Sequence, residues 1–435
     1  MATANQRQIF GWAMFDVANS AYTTVVITVV YSAFFVGYVV PADSEWGNSY
    51  WAAAIIISSA MAMLLAPLLG SWIDQYGGKK RMLLATMGLC ALATAGLYFV
   101  APGMVWLAIT LLVLSNCCWM LSEVFCASFL TDIADQQSMG WISGLGWGLG
   151  YLGGLASLIL VLFGVITATP QQLDLYVQQH QWAMVAVAAY FVLLSLPTML
   201  WLQEPKPVTK SSIRFAEVVA QSWQQFVASR HLARQLPVLS QFFIIFTIYS
   251  AGMATVIKFF GIYVESELVL SSTEKTTVFL ALQIAAFIGS IGFGLLERQF
   301  GARLTVLLTL LWWLLGLLAI HQLNGLSTLT GIAVNPLFIG CTLLAGAGLG
   351  ATQSASRTLV GLLSPASYSG QLFGYWGLFA RLAAMVGTAA FALVADLLST
   401  RQALLVVMAF FALGAVLISR LPVTRGIEQA QQLHR

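Results

Sequence analysis

Hydrophobic residues fill most of this chain in runs about twenty residues long, and short polar stretches separate the runs. A helix rises about 1.5 Å per residue, so about 20 apolar residues cross a bilayer. On that ruler the first half holds six spans, near 10–38, 51–71, 82–100, 104–130, 142–168 and 182–202. The second half holds six more, near 237–263, 275–297, 303–321, 335–360, 370–394 and 402–420. Connections are short except over 203–236. The predicted organisation is a helical bundle over 1–202, a linker over 203–236, a second bundle over 237–421 and a tail over 422–435. The linker opens on EPKPVTK, a helix stop. Beyond it Phe215, Val218, Val219, Trp223, Phe226 and Val227 recur at helical spacing. That segment reads as an amphipathic helix, lying on the membrane surface or packing on the bundle as an ordinary linker.

Composition agrees with this reading. Of 435 residues 59% are hydrophobic and 8% charged, against about 25% charged in soluble domains. So few charges cannot coat a soluble globule, and the class is an all-α integral membrane protein. The net charge of +3 is small and its cations scattered, which argues against a nucleic-acid partner. All five cysteines fall in predicted spans without metal-ligand spacing, so they read as small buried apolar residues. Neither a metal nor a cofactor is expected. The first apolar run is too long for a signal peptide and no cleavage pattern follows, so it reads as a retained span.

Lysine and arginine set the orientation. With the N-terminus inside, the inner segments collect Arg7, Lys79, Lys80, Arg81, Lys206, Lys210, Arg214, Arg230, Arg234, Arg298, Arg303, Arg420, Arg425 and Arg435. The outer segments hold Lys275 and Arg401. Both termini are therefore expected on the cytoplasmic side.

Ionisable residues inside spans are costly and mark function or pairing. The first span carries Asp16, with Asn19, Ser20 and Thr23 on the same helical face. Glu123 lies in the fourth span, Lys258 in the seventh, Arg357 in the tenth and Arg381 in the eleventh. Arg357 is near the inner end, where a pair with Glu297 is expected. Asp132 and Asp135 end the fourth span, where pairs with Lys80 or Arg81 are expected. The four histidines are read as lying outside the spans, His180 and His321 in outer loops. Proton coupling would then fall on Asp16 or Glu123. The glycines of SGLGWGLGYLGG recur every fourth residue, which suits close helix packing better than a dinucleotide loop.

Between the second and third spans the chain reads GSWIDQYGGKKRM. Gly70, Asp74, Gly77, Lys79 and Lys80, followed by Arg81, match the loop pattern of major facilitators. The glycines permit a tight turn, and the acid and cations supply ion pairs that can break and re-form. GLLERQFGAR, between the eighth and ninth spans, is a degenerate copy. Gly294, Gly301 and Arg303 keep their spacing, and Glu297 stands one position early.

With WAMFDVANSAY, SFLTDIA, SGLGWGLGYLGG, QSASRTLVGLLSP and GQLFGYW, these motifs resemble one branch of the major facilitator superfamily. It is the branch that contains the fungal vacuolar effluxer of amino acids and its bacterial relatives. The resemblance runs through both halves. It implies two pseudo-symmetric six-helix bundles, alternating access, and a central cavity lined by the first, fourth, seventh and tenth spans. Asp16, Asn19, Thr23, Glu123, Lys258 and Arg381 are then the expected substrate and proton pathway. Gly70, Asp74, Gly77, Lys79, Lys80, Arg81, Asp132, Glu297, Arg303 and Arg357 are the expected cytoplasmic gate. An acidic wall facing a basic one suits a zwitterion, although the same charges can simply pair across the halves. The expected function is proton-coupled efflux of a small polar or zwitterionic, amino-acid-like metabolite, by a monomer in a bacterial inner membrane. A nutrient importer, for a sugar or organic acid, is the alternative. A non-transporting receptor or membrane-embedded enzyme is the alternative of another class; no catalytic motif and no sensing domain are legible.

Overall fold

The computed structural model describes residues 2–41, 43–44, 46–204, 232, 234–267 and 272–433, without the side chains of 2–4, 258–267, 272–276, 396 and 400. The linker helix expected over 203–236 therefore lies mostly outside the described residues. Every regular element among them is helical.

The first span, α1, begins as an α-helix over Ala2–Ala21 and widens to π-helix at Tyr22–Val29 and again at Phe35–Val39. The β-branched run from Thr23 to Val30 crowds a normal helical ladder. The wider turn relieves it, with Val30 N–H donating to the Val25 carbonyl and Thr28 Oγ1 to the Thr23 carbonyl. Next come α2 (Gly47–Tyr76), α3 (Lys79–Gly96), α4 (Val105–Ser128), α5 (Met139–Ile159) and α6 (Leu173–Leu194). The second half starts with α7 (Pro237–Glu267). A helical stretch over Ser272–His321 breaks at Gly301, where φ is 77° and ψ 160°, into α8 (272–300) and α9 (302–321). Then follow α10 (Val334–Leu363), α11 (Ser369–Leu397), α12 (Thr400–Ser419) and α13 (Val423–Gln432).

Among the described residues eleven helices are long and apolar enough to cross a membrane, one of them the 45-residue stretch Thr277–His321. Divided at Gly301, that stretch supplies two crossings, which makes the twelve spans the hydrophobic pattern predicts. The protein is a multi-pass integral membrane protein. Gly301 matches the turn between α2 and α3, where Gly77 and Gly78 take φ of 74° and 87°. Side chains are disfavoured at such angles, so both turns need glycine.

One histidine reading is corrected. His180 is not in a loop: α6 starts at Leu173, ahead of its apolar run, and His180 is buried in its third turn. Its ring stacks on Phe34 at 4.4 Å and Nδ1 lies 2.8 Å from the Tyr176 carbonyl. The polar stretch around QQHQ hid the helix start, because an amphipathic first turn carries no apolar run.

The chain divides into two compact units. The first holds α1 to α4, α6, α5 from Leu149 onward, and Tyr368–Tyr375 at the start of α11. Here Thr198 Oγ1 donates to the Gly11 carbonyl (2.6 Å), Tyr190 OH to the Gly153 carbonyl (2.9 Å) and Asn116 Nδ2 to Ser58 Oγ (2.7 Å). The second unit holds Ala134–Gly148 at the start of α5, α7 to α10, α11 from Trp376, α12 and α13. Tyr249 OH meets Ser356 Oγ at 2.7 Å, and Trp313 stacks on Phe411 at 5.4 Å. The predicted tail folds into α13, whose Gly426 rests against Leu363 and Val238. Each unit thus carries a short segment from the other half of the sequence.

Candidate functional site

The polar stripe of α1 lies between two bonds to α4. Trp12 Nε1 donates to the Cys126 carbonyl at 2.7 Å, and Tyr22 OH meets Ser115 Oγ at 2.8 Å. The helices run antiparallel, so Asp16 and Asn19 lie opposite residues 119–123 of α4. Asp16 and Glu123 are thereby brought to about the same level on adjacent helices, both partly exposed. Tyr22 stacks on Trp119 at 6.0 Å, closing one side of this level. On α5, Gly150 leaves room for the stripe: a Cβ there would stand 3.0 Å from Ser20 Oγ and 3.2 Å from the Asp16 carbonyl.

The stripe is not uniformly open. Ser20 Oγ donates to the Asp16 carbonyl at 2.8 Å and Thr23 Oγ1 to the Ser20 carbonyl at 3.2 Å. Their hydroxyl protons are spent on their own helix, which leaves oxygen lone pairs facing outward. Asn19 is only 6% exposed, and its Oδ1 is buried without a hydrogen-bond partner. In the second unit Arg381 is partly exposed on α11. Lys258 belongs to α7, and its side chain lies outside the described residues.

At the helix ends each unit builds a clasp. In the first unit the end of α2 receives the start of α11. Asp74 Oδ1 accepts the Gly370 N–H at 2.8 Å and Oδ2 accepts the Gln371 N–H at 2.7 Å, so a carboxylate caps the α11 N-terminus. A Cβ on Gly70 would collide with the Gly370 carbonyl, and one on Gly374 would stand 2.7 Å from the Ala66 carbonyl. Lys79 is buried beside this contact. Its Nζ donates to Asp132 Oδ2 (2.8 Å), Ser369 Oγ (3.0 Å) and the Ser128 carbonyl (3.3 Å), and its N–H donates to Glu204 Oε1 (2.6 Å). Asp132 thus pairs with Lys79, not with Lys80 or Arg81: Lys79 begins α3 facing inward, while Arg81 is exposed. Asp135 caps the start of α5 instead, accepting from Ser138 Oγ (2.6 Å), Ser138 N–H (2.7 Å) and Gln137 N–H (3.1 Å). These bonds hold its carboxyl below the usual range.

In the second unit the end of α8 receives the start of α5. Gly144 approaches the Ser290 carbonyl and Gly294, and Gly140 lies against the Glu297 carboxyl. The spacing of Gly140 and Gly144 repeats that of Gly370 and Gly374. Because Glu297 stands one position early, it takes the place Ile73 holds against Gly370, not the capping place of Asp74. The expected Glu297–Arg357 pair is not formed. Arg357 Nε donates to Ser143 Oγ (3.0 Å), Nη2 donates to the Ser143 carbonyl (2.8 Å), and the guanidinium lies over the Trp147 ring at 5.5 Å. Arg303 donates from Nη1 to the Leu421 carbonyl at 3.1 Å, tying the start of α9 to the chain just before α13.

Gly370, Gln371, Gly374, Ser143 and Glu204 complete the clasps and are absent from the sequence-based site. The four-residue spacing of Gly370 and Gly374, repeated at Gly140 and Gly144, is a sequence signal that could have found the glycines, and nothing local marks the others. Among the described residues no cluster of three metal-ligating side chains occurs, and no disulfide joins the cysteines.

The family described as "Vacuole effluxer Atg22 like" matches residues 45–431. An uncharacterized MFS-type transporter of Bacillus subtilis (strain 168), YxiO, is 24% identical over 431 residues, covering 98% of this chain and 97% of its own. Among solved structures, the human organic anion transporter MFSD10 superposes with a TM-score of 0.71 at 16% identity, covering 95% of this chain and 99% of that one. The proton:xylose symporter XylE superposes at 0.70 and 11% identity, covering 99% and 98%. At these identities the two structures show a shared fold.

Proposed function

Because the chain belongs to the Atg22-like family of vacuole effluxers, within the MFS-type transporters, we propose that it exports a small zwitterionic, amino-acid-like metabolite in exchange for protons. The observation that carries this reading is the level shared by Asp16 and Glu123 between the Trp12–Cys126 and Tyr22–Ser115 bonds. Two carboxyl groups at one depth inside apolar helices are costly unless they meet a cation, a proton or water. Lone pairs on Ser20 and Thr23 and the buried, unpartnered acceptor of Asn19 make the same face a hydrogen-bond acceptor. An ammonium group answers both features. Arg381, with Lys258 on α7, is the proposed partner for the substrate carboxylate.

In this reading the chain sits in a bacterial plasma membrane with both termini cytoplasmic. The two clasps then form the cytoplasmic gate, which opens and closes as access alternates. Proteoliposomes loaded with labelled amino acids test the direction. Export driven by an inward proton gradient is expected, and strict proton-driven uptake overturns efflux. Asp16→Asn should insert normally and lose gradient-driven transport; full gradient-driven transport in that variant overturns the assignment.

A further inference from the structure

The two clasps are built alike and differ in their acid. Asp74 has both oxygens on backbone N–H groups. Glu297 is 5% exposed, and its Oε1 is buried with no hydrogen-bond donor. Gly140 of the α5 turn covers this carboxyl so closely that a Cβ there would collide with it. A protonated carboxyl carries no charge into this slot and is the form its burial favours. A bare carboxylate would leave a buried charge with one oxygen unanswered.

We propose that Glu297 is a proton-binding site, protonated while the first turn of α5 rests on α8 and ionised when that turn withdraws. The charged groups on the surrounding elements fit this exchange. Arg357 on α10 is engaged by Ser143 of the same α5 turn. Arg298 is the next residue of α8 and acts electrostatically on Asp135, which precedes α5. Arg303 on α9 is held by the Leu421 carbonyl. When the α5 turn leaves, Arg357 loses both Ser143 acceptors and Glu297 loses the cover of Gly140. The Glu297 O–H bond then breaks, the proton passes to water, and the carboxylate takes the Arg357 guanidinium in its place. No other reactant is needed. The inference stands without the Asp16–Glu123 reading, since it uses neither residue.

The closed clasp binds one proton more than the open one, so acid closes it and alkali opens it. Hydrogen–deuterium exchange of residues 134–148, corrected for the intrinsic rate, tests this on the purified wild-type protein. Protection should fall at least about tenfold as pH rises, and a pH-independent profile overturns the proposal. In Glu297→Gln, which keeps the shape and cannot ionise, the turn should stay protected at every pH. If that variant does not fold, Glu297→Met serves the same comparison. A variant that keeps the wild-type pH dependence, or that opens the turn at every pH, also overturns it. Infrared titration supplies a direct reading: the protonated-carboxyl band expected in wild type should weaken in the Gln variant, and an unchanged band overturns the assignment.

Discussion

Asp74 and Gly370 are 296 residues apart in the chain and joined by a 2.8 Å hydrogen bond from the glycine N–H to the carboxylate. With the Gln371 N–H on its second oxygen, Asp74 acts as a helix cap supplied by a different helix. The first turn of α11 belongs to the first compact unit for this reason, although the remainder of α11 belongs to the second.

Asp74→Asn should weaken that contact without removing it. The asparagine keeps one acceptor oxygen, turns an NH2 group toward the other backbone N–H, and loses the charge that complements the helix dipole. A loss of about 1–2 kcal/mol is expected. It should appear as a lower unfolding temperature in detergent and faster amide exchange over 369–375. Unchanged exchange there would show that the cap contributes nothing.

The glycines of the clasp separate by what surrounds them. A Cβ at Gly374 would stand 2.7 Å from the Ala66 carbonyl and Pro67 Cα, both backbone atoms inside a helix. Gly374→Ala should therefore cost about 1–3 kcal/mol through overpacking. Gly292 in α8 has nothing within 4 Å of the same added atom. Gly292→Ala should be neutral or stabilising by up to about 1 kcal/mol, because alanine favours the helix. Thermal unfolding of the two variants side by side checks the contrast.

Asp135 gives a pH dependence of known sign. Its carboxyl is depressed in the folded protein by Ser138 first. A depressed acid stabilises the fold above its ordinary titration range, and the contribution fades as pH falls through the folded value. The difference in unfolding temperature between wild type and Asp135→Asn should therefore be largest near neutral pH and shrink as pH falls through and below the usual carboxylate range. The group is exposed, so the effect is small. A difference that grows on acidification contradicts the cap.

The clasp that carries Glu297 shows how far a motif reaches without a structure. GLLERQFGAR keeps the glycine spacing of the first loop, and the turn at Gly301 follows from it. The displaced acid reads as a defect in the copy. In three dimensions one step along a helix turns a side chain by about 100°, and the carboxyl leaves the helix cap for a buried slot against Gly140. Two such steps separate Lys79, buried on Asp132, from Arg81 on the surface.

The sequence alone determined the twelve spans, the two halves and the glycine turns, because apolar run length and a positive φ are local properties of the chain. It also marked Asp16 and Glu123 as costly charges within spans. Only the tertiary structure decided which unit holds the first turns of α5 and α11, that Asn19 is buried while Asp16 is partly exposed, and that His180 lies inside a helix. Those outcomes depend on the rotation and depth at which helices pack against one another. In a chain apolar on nearly every face, periodicity cannot fix either quantity.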